Sequence, residues 1–242
     1  MASIDRMISS SRRALERRRD VRPLAQLEQA VGGLDPIRPF TEAVVGEEIS
    51  FVLRVTAADP ALLATAGTAG VAGLAVPGDA APVGFEETLL PVLHKGVLID
   101  PYQLYESRLG GADGVILIAE AFDDEDDEFA EMQMVAAQLG LDVVVQVADE
   151  EEVEHVLELL DPDSFLIQNL RPGRHEAEFE HTFSLLEEVP AGKVVLSEGG
   201  IRTRDQVVAL ESAGVDAAIL GEWVQRLGIA PTLDVLRGDT RE

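Results

Sequence analysis

Only two lysines occur in this chain of 242 residues, and one of them, Lys95, sits in Pro91-Val-Leu-His-Lys-Gly-Val-Leu-Ile-Asp-Pro-Tyr-Gln103. Lysine can release a proton when its surroundings lower its pKa, which arginine effectively cannot do. A chain that otherwise relies on arginine, yet keeps a lysine at the end of the apolar run Pro91–Leu93, points to proton transfer there. The plainer reading is a surface lysine after a strand, and its rarity here weakens that reading.

Other polar residues stand at the ends of similar apolar runs: Arg54, Glu120, Gln146, Gln168 with Asn169, Glu198 with Gly199-Gly200, and Gly221-Glu222. Glu198 can donate or accept a proton, orient Lys95 by ion pairing, or serve as a structural partner for an arginine. Arg54 can clamp a phosphate or carboxylate with two N–H groups, or it can be structural. Gln146 and Gln168 can only hydrogen-bond. Gly199-Gly200 and Gly221 either make tight strand-to-helix turns or expose backbone N–H groups to an anion, and their pairing on consecutive late runs favours the anion.

These residues need a scaffold that brings run ends together. Apolar runs of four to six residues alternate with helical segments, the pattern of parallel β-α units. Strands are expected at 49–55, 73–76, 91–93, 114–118, 142–147, 164–167, 193–196 and 217–220. Helices are expected at 60–69, 101–109, 127–139, 150–160, 176–188, 204–213, 223–227 and 231–236. Eight such repeats predict an α/β fold, a closed (β/α)8 TIM barrel, whose sites lie at the carboxyl ends of the strands. The alternative, an open doubly wound sheet for a dinucleotide, lacks its Gly-x-Gly-x-x-Gly. Helical stretches at 4–19 and 23–31 precede the barrel, so the expected organisation is one domain over 1–242 with 1–45 as an N-terminal helical extension. Between Val76 and Pro91 the chain has room for only a turn or two, so the second barrel helix is expected to be truncated.

Composition narrows the classes. A net charge of −26, from 45 acidic and 19 basic residues, argues against a nucleic-acid surface. No apolar run approaches membrane-spanning length, and the arginine-rich start lacks a signal peptide's apolar core. Zero cysteines excludes thiolate chemistry and fits a cytoplasmic location. The four histidines show no metal-ligand spacing, so no metal is expected. Scarce lysine beside abundant acid suggests adaptation to a salty cytoplasm, an expectation that full solubility in low salt would defeat.

Several segments resemble the indole-3-glycerol phosphate synthase family. Pro91 to Glu106 is similar to its third-strand motif, Pro-Val-Leu-Arg-Lys-Asp-Phe-Ile-Ile-Asp-Pro-Tyr-Gln. Gly110–Ile118, Leu141–Glu152, Leu196–Thr203 and Ala218–Glu222 resemble its fourth, fifth, seventh and eighth strands, and Arg38-Pro-Phe40 fits its extension. The resemblance implies a cofactor-free barrel of tryptophan biosynthesis. Such an enzyme closes the pyrrole ring of 1-(2-carboxyphenylamino)-1-deoxyribulose 5-phosphate with loss of CO2 and water. It implies catalytic roles for Lys95 (general acid) and Glu198, and substrate contacts from Arg54, Gln146, Gln168, Asn169 and Gly199. Phosphate binding falls on Gly200 and Gly221, with Glu222 beside them. A phosphorylated small molecule is the implied partner, and a protein of the same pathway is left open.

The departures are specific. Val52-Leu53-Arg54 replaces the first-strand Glu-x-Lys, and the Ser-Pro-Ser covering loop is absent between Thr56 and Pro60. Gly96 and Val97 replace aspartate and phenylalanine. Gln146 replaces the fifth-strand glutamate, Ile167-Gln-Asn-Leu-Arg171 replaces Ile-Asn-Asn-Arg-Asp, and Gly199 replaces serine. An amide cannot accept a proton, and losing a general base costs about 10²–10⁴ in rate. The alternative expectation is therefore an impaired or inactive relative that binds a phosphorylated ligand or a protein partner.

Overall fold

The computed structural model describes residues 4–123, 125–170 and 175–239. Eight parallel strands close on themselves in chain order. They are β1 (Ser50–Arg54), β2 (Gly73–Pro77), β3 (Val92–Lys95), β4 (Gly114–Ile118), β5 (Asp142–Val147), β6 (Ser164–Gln168), β7 (Val194–Glu198) and β8 (Ala217–Leu220). The expected (β/α)8 barrel is what the chain forms.

Eight bounds in five strands moved slightly, and three of the shifts bear on the site. β3, β6 and β7 run on to Lys95, Gln168 and Glu198, because the neighbouring strand extends the ladder beside each. Pro77 and Ile116 flank Lys95, and Gln168 pairs with Glu198. The candidate side chains therefore stand on rigid strand ends rather than on loops.

Around the barrel run α4 (Pro60–Thr68), α5 (Pro101–Leu109), α6 (Asp126–Gln138), α7 (Glu150–Leu159), α8 (His181–Leu186), α9 (Arg204–Ala213), α10 (Trp223–Leu227) and α11 (Ile229–Arg237). Four of them open on caps the sequence offers. Asp59, Asp100 and Asp149 accept backbone N–H groups, and Thr203 makes a capping box with Gln206. The helix expected over 176–188 shrinks to α8. The Glu178 N–H donates to the Asn169 carbonyl, which ties the preceding segment to the end of β6 and keeps it out of helical geometry. Between β2 and β3 no helix forms among residues 78–91, as the short spacing implied.

The extension contributes α1 (Ile4–Val21), α2 (Leu24–Val31) and α3 (Phe40–Val44). Phe40 and Val44 are fully buried in one cluster with Val52, Ala75 and Ala217, closing the amino-terminal end of the barrel. Gly73 leaves room for this plug, since a Cβ there would meet the Phe40 ring at 2.9 Å. Polar stitches hold it in place. Asp113 accepts the Arg38 and Val92 backbone N–H groups, each at 2.8 Å, and pairs with the Arg38 guanidinium at 2.6 Å. Asp142 accepts the Thr41 N–H at 2.9 Å.

Candidate active site

Side chains alternate faces along a strand, so each inward core residue is followed two positions later by another inward residue. The barrel interior is lined by Val52, Leu93, Val144, Leu166 and Leu196. Two residues on from these stand Arg54, Lys95, Gln146, Gln168 and Glu198. These five form the polar part of the top layer at the carboxyl ends of the strands, with Pro77, Ile118 and Ile219 completing it.

Glu198 is the hub of this layer. It is 7% exposed, and one carboxylate oxygen accepts the Lys95 ammonium and, at 3.2 Å, the Gln168 amide. The other faces Arg54 Nη1 at 3.8 Å. Gln168 is held in turn by the Leu170 N–H, which donates to its side-chain oxygen at 3.1 Å. Two atoms lack partners: Arg54 Nε and Gln146 Oε1 are buried with no hydrogen bond. Leaving a buried polar atom unpaired costs about 1–3 kcal/mol, so these atoms mark where a ligand's polar groups would be rewarded.

The Asp-Pro-Tyr-Gln stretch serves Lys95 from behind. Asp100 caps α5 and Pro101 opens it. Gln103 is buried and donates to the Val97 carbonyl at 3.0 Å and to Ser11 of α1 at 3.1 Å, while its own oxygen accepts the Ile99 N–H at 2.9 Å. The turn that follows Lys95 is thereby fixed from three sides. The neighbouring His94 bridges Ser107 at 2.7 Å and the Gly78 carbonyl at 2.8 Å, and burial lowers its pKa.

Not every residue singled out in the sequence reaches the mouth. Asn169, one position past Gln168, turns to the opposite face and is fully buried. There it bonds Ser197 and the Gly199 carbonyl, and accepts from Thr182. Its position knits β6, β7 and α8 together and gives it no exposed surface for a substrate. Glu120 lies beyond β4 in a short 3-10 turn (Ala119–Phe122). Burial raises its pKa, helped by the charges of Asp123, Asp5 and Asp149. Arg171 lies outside the described residues.

Beside Glu198 opens a cavity of about 220 Å³, walled by Arg54, Gln168, Gly199, Gly200, Gly221 and Trp223. Gly199 and Gly200 adopt φ of +106° and +78°, a region where a side chain is strained. A Cβ on Gly199 would also press on Ala177 at 3.1 Å, so the serine of the family motif would be crowded here. Glu222 stands just before α10, makes no capping hydrogen bond and lies outside this lining. Arg202 and Trp223 escaped the sequence reading. The Arg202 guanidinium lies 4.8 Å above the Trp223 ring and lines the same cavity. The signal available was their place two residues past Gly200 and Gly221, the glycines that follow β7 and β8.

A sequence model described as Indole-3-glycerol phosphate synthase matches residues 86–227, more than half of the chain. The chain belongs to the indole-3-glycerol phosphate synthase family. A synthase of that name from Acidithiobacillus ferrooxidans is 41% identical over 137 residues, covering 57% of this chain and 51% of the relative. One from Caldanaerobacter subterraneus subsp. tengcongensis is 40% identical over 140 residues, covering 58% and 53%. The match thus spans about half the length of these synthases. Among solved structures, a mutant tryptophan synthase alpha-subunit from Pyrococcus furiosus superposes with a TM-score of 0.58 at 14% identity, over 78% of this chain and 98% of that one. That likeness concerns the barrel alone. The family match covers Lys95, Gln146, Gln168, Glu198 and the late glycines, and leaves out β1 with Arg54. Among the described residues, no helix is long and apolar enough to cross a membrane, and no group of three His, Asp or Glu side chains could hold a metal.

Proposed function

We propose that this chain closes the pyrrole ring of 1-(2-carboxyphenylamino)-1-deoxyribulose 5-phosphate, releasing CO2 and water. The observation that carries the reading is the Lys95–Glu198 pair, held across the barrel mouth beside an anion-sized cavity in a chain of this family.

Three tasks must be met. The ribulose carbonyl oxygen needs a proton while the ring carbon bearing the carboxylate attacks the carbonyl carbon. CO2 then leaves, returning its bonding pair to the ring. Finally the new hydroxyl departs as water while a proton is lost from the neighbouring carbon. Lys95 suits the first task as donor. Arg54 offers its free Nε and its fork to the substrate carboxylate, and Gly200, Gly221 and Arg202 frame the phosphate. The last task needs a proton acceptor. Gln146 cannot serve, which leaves Glu198 as the carboxylate of the top layer, exchanging protons through its contact with Lys95. Asking one pair to act as both acid and base predicts slow turnover.

The named relatives lend no support to an inactive, ligand-binding alternative. The test is direct: the protein in high salt is given the carboxyphenylamino substrate, and indole fluorescence is followed beside a Lys95→Ala control. Turnover above the control supports the reading, and turnover equal to it defeats the reading.

A further inference from the structure

Away from the mouth, a second cavity of about 520 Å³ opens between α1, α2, α5 and the helix-free connection from β2 to β3. Its floor and sides are mainly apolar, from Leu27, Val83, Leu109 and the ring of Tyr102, interrupted by the Arg18–Glu106 pair, and Arg17 of α1 and Arg22 just past its end line it too. We propose that this cavity binds a small amphipathic carboxylate, with its apolar body on the floor and its head group between Arg17 and Arg22.

Three independent features support the assignment. The first is charge. Seven of the chain's 19 basic residues fall between Arg6 and Arg22, in a protein whose net charge is −26. Arg12, Arg18 and Arg19 are spent on Glu125, Glu106 and Asp100. Arg17 and Arg22 form no ion pair with any described residue, although carboxylates outnumber basic groups more than twofold. Unpaired guanidinium groups beside an apolar cavity suit an anion carried from outside.

The second feature is an unmet donor. Arg18, on the same wall, uses its Nε on both oxygens of Glu106 and leaves Nη2 buried with no partner. An acceptor brought to this wall can satisfy it after a small turn of the side chain. The third is shape and exposure. The volume lies in the range of small-molecule sites, roughly 300–1,000 Å³. The cavity also leaves apolar side chains in water: Val21 is 84% and Val83 70% exposed, and both line it. A ligand body covering them recovers surface that the missing barrel helix leaves open.

The site has a route to the catalytic candidate. The Tyr102 hydroxyl donates to the Arg18 and Arg22 carbonyls, and the next residue, Gln103, grips Val97, two positions from Lys95. Occupancy would hold α1 against the turn that carries the lysine.

The test uses 3-phenylpropionate as probe and 3-phenylpropanol as its neutral control, titrated calorimetrically into the full chain. One site for the carboxylate is expected, at least tenfold weaker in Arg17→Ala/Arg22→Ala, with no binding of the alcohol. Val83→Glu, a change at an exposed position, should give the same loss by placing a rival charge in the cavity. Circular dichroism verifies that each variant is folded. Absence of saturable binding to the unaltered chain, equal affinity in the variants, or equal binding of the alcohol would overturn the proposal. So would sedimentation as a dimer that Val83→Glu converts to monomer, since the cavity would then be a protein interface. None of these outcomes depends on synthase turnover.

Discussion

The two ends of this barrel are built to opposite standards. At the amino-terminal end, Phe40 fills the bore, and Asp113 and Asp142 find donors in the extension that closes it. At the carboxyl end, buried Arg54 Nε and Gln146 Oε1 lack partners, and one carboxylate draws in an ammonium, an amide and a guanidinium. A satisfied end stabilises the fold, whereas an unsatisfied end holds interactions open for a ligand.

Substitutions at each end test this contrast. The largest effect is expected at the mouth: Lys95→Ala should lower turnover by about 10²–10⁴ while circular dichroism stays unchanged, the loss typical of removing a proton donor. At the closed end, Phe40→Ala should cost about 3–5 kcal/mol in urea unfolding, the usual penalty for deleting a buried phenylalanine, with the kcat of the folded fraction retained. If Phe40→Ala instead abolished turnover in folded protein, the two ends would not be separable. Gln146→Glu returns a proton acceptor to β5 and should raise kcat by about tenfold; an unchanged kcat would mean that Glu198 already meets the need. The smallest effect concerns a carboxylate on the flank of the mouth.

That carboxylate is Glu152, in the first turn of α7. Its pKa is pushed from 4.5 up to about 8 by burial, with Asp149, Glu120 and Asp123 adding repulsion and the Ala148 N–H opposing. The folded state therefore keeps a proton that the unfolded chain has released. Stability should fall as pH rises from 4.5 toward about 8 and level off above that. Glu152→Gln keeps an acceptor for the Ala148 N–H and removes the charge. It should raise Tm by a few degrees at pH 8.5 and leave it unchanged near pH 4.5. Equal Tm at both pH values would show that the carboxylate is already well solvated.

Most of the barrel could be read from the chain because parallel strands leave short apolar runs and helices leave caps. β4, β5 and β8, with α5, α9 and α10, fall where the runs and punctuation put them. α8 did not, because its shortening depends on a hydrogen bond from Glu178 to Asn169, nine residues back, and periodicity cannot see such a contact. The site was legible in types and partly in direction. Adjacent Gln168 and Asn169 look alike in sequence, and only the two-residue period from Leu166 tells which faces the bore. Arg202 was hidden for another reason: it acts by stacking on Trp223, a pairing made by two separate strand-to-helix turns.

One feature of the mouth also constrains how this protein could be converted back toward the family pattern. His94 holds the Gly78 carbonyl over Gly96, and a Cβ built on Gly96 would collide with that oxygen. The family's aspartate therefore cannot be restored at position 96 by itself. The path of the connection after β2 thus dictates glycine after Lys95, and a side chain there requires that connection to be rerouted first or at the same time.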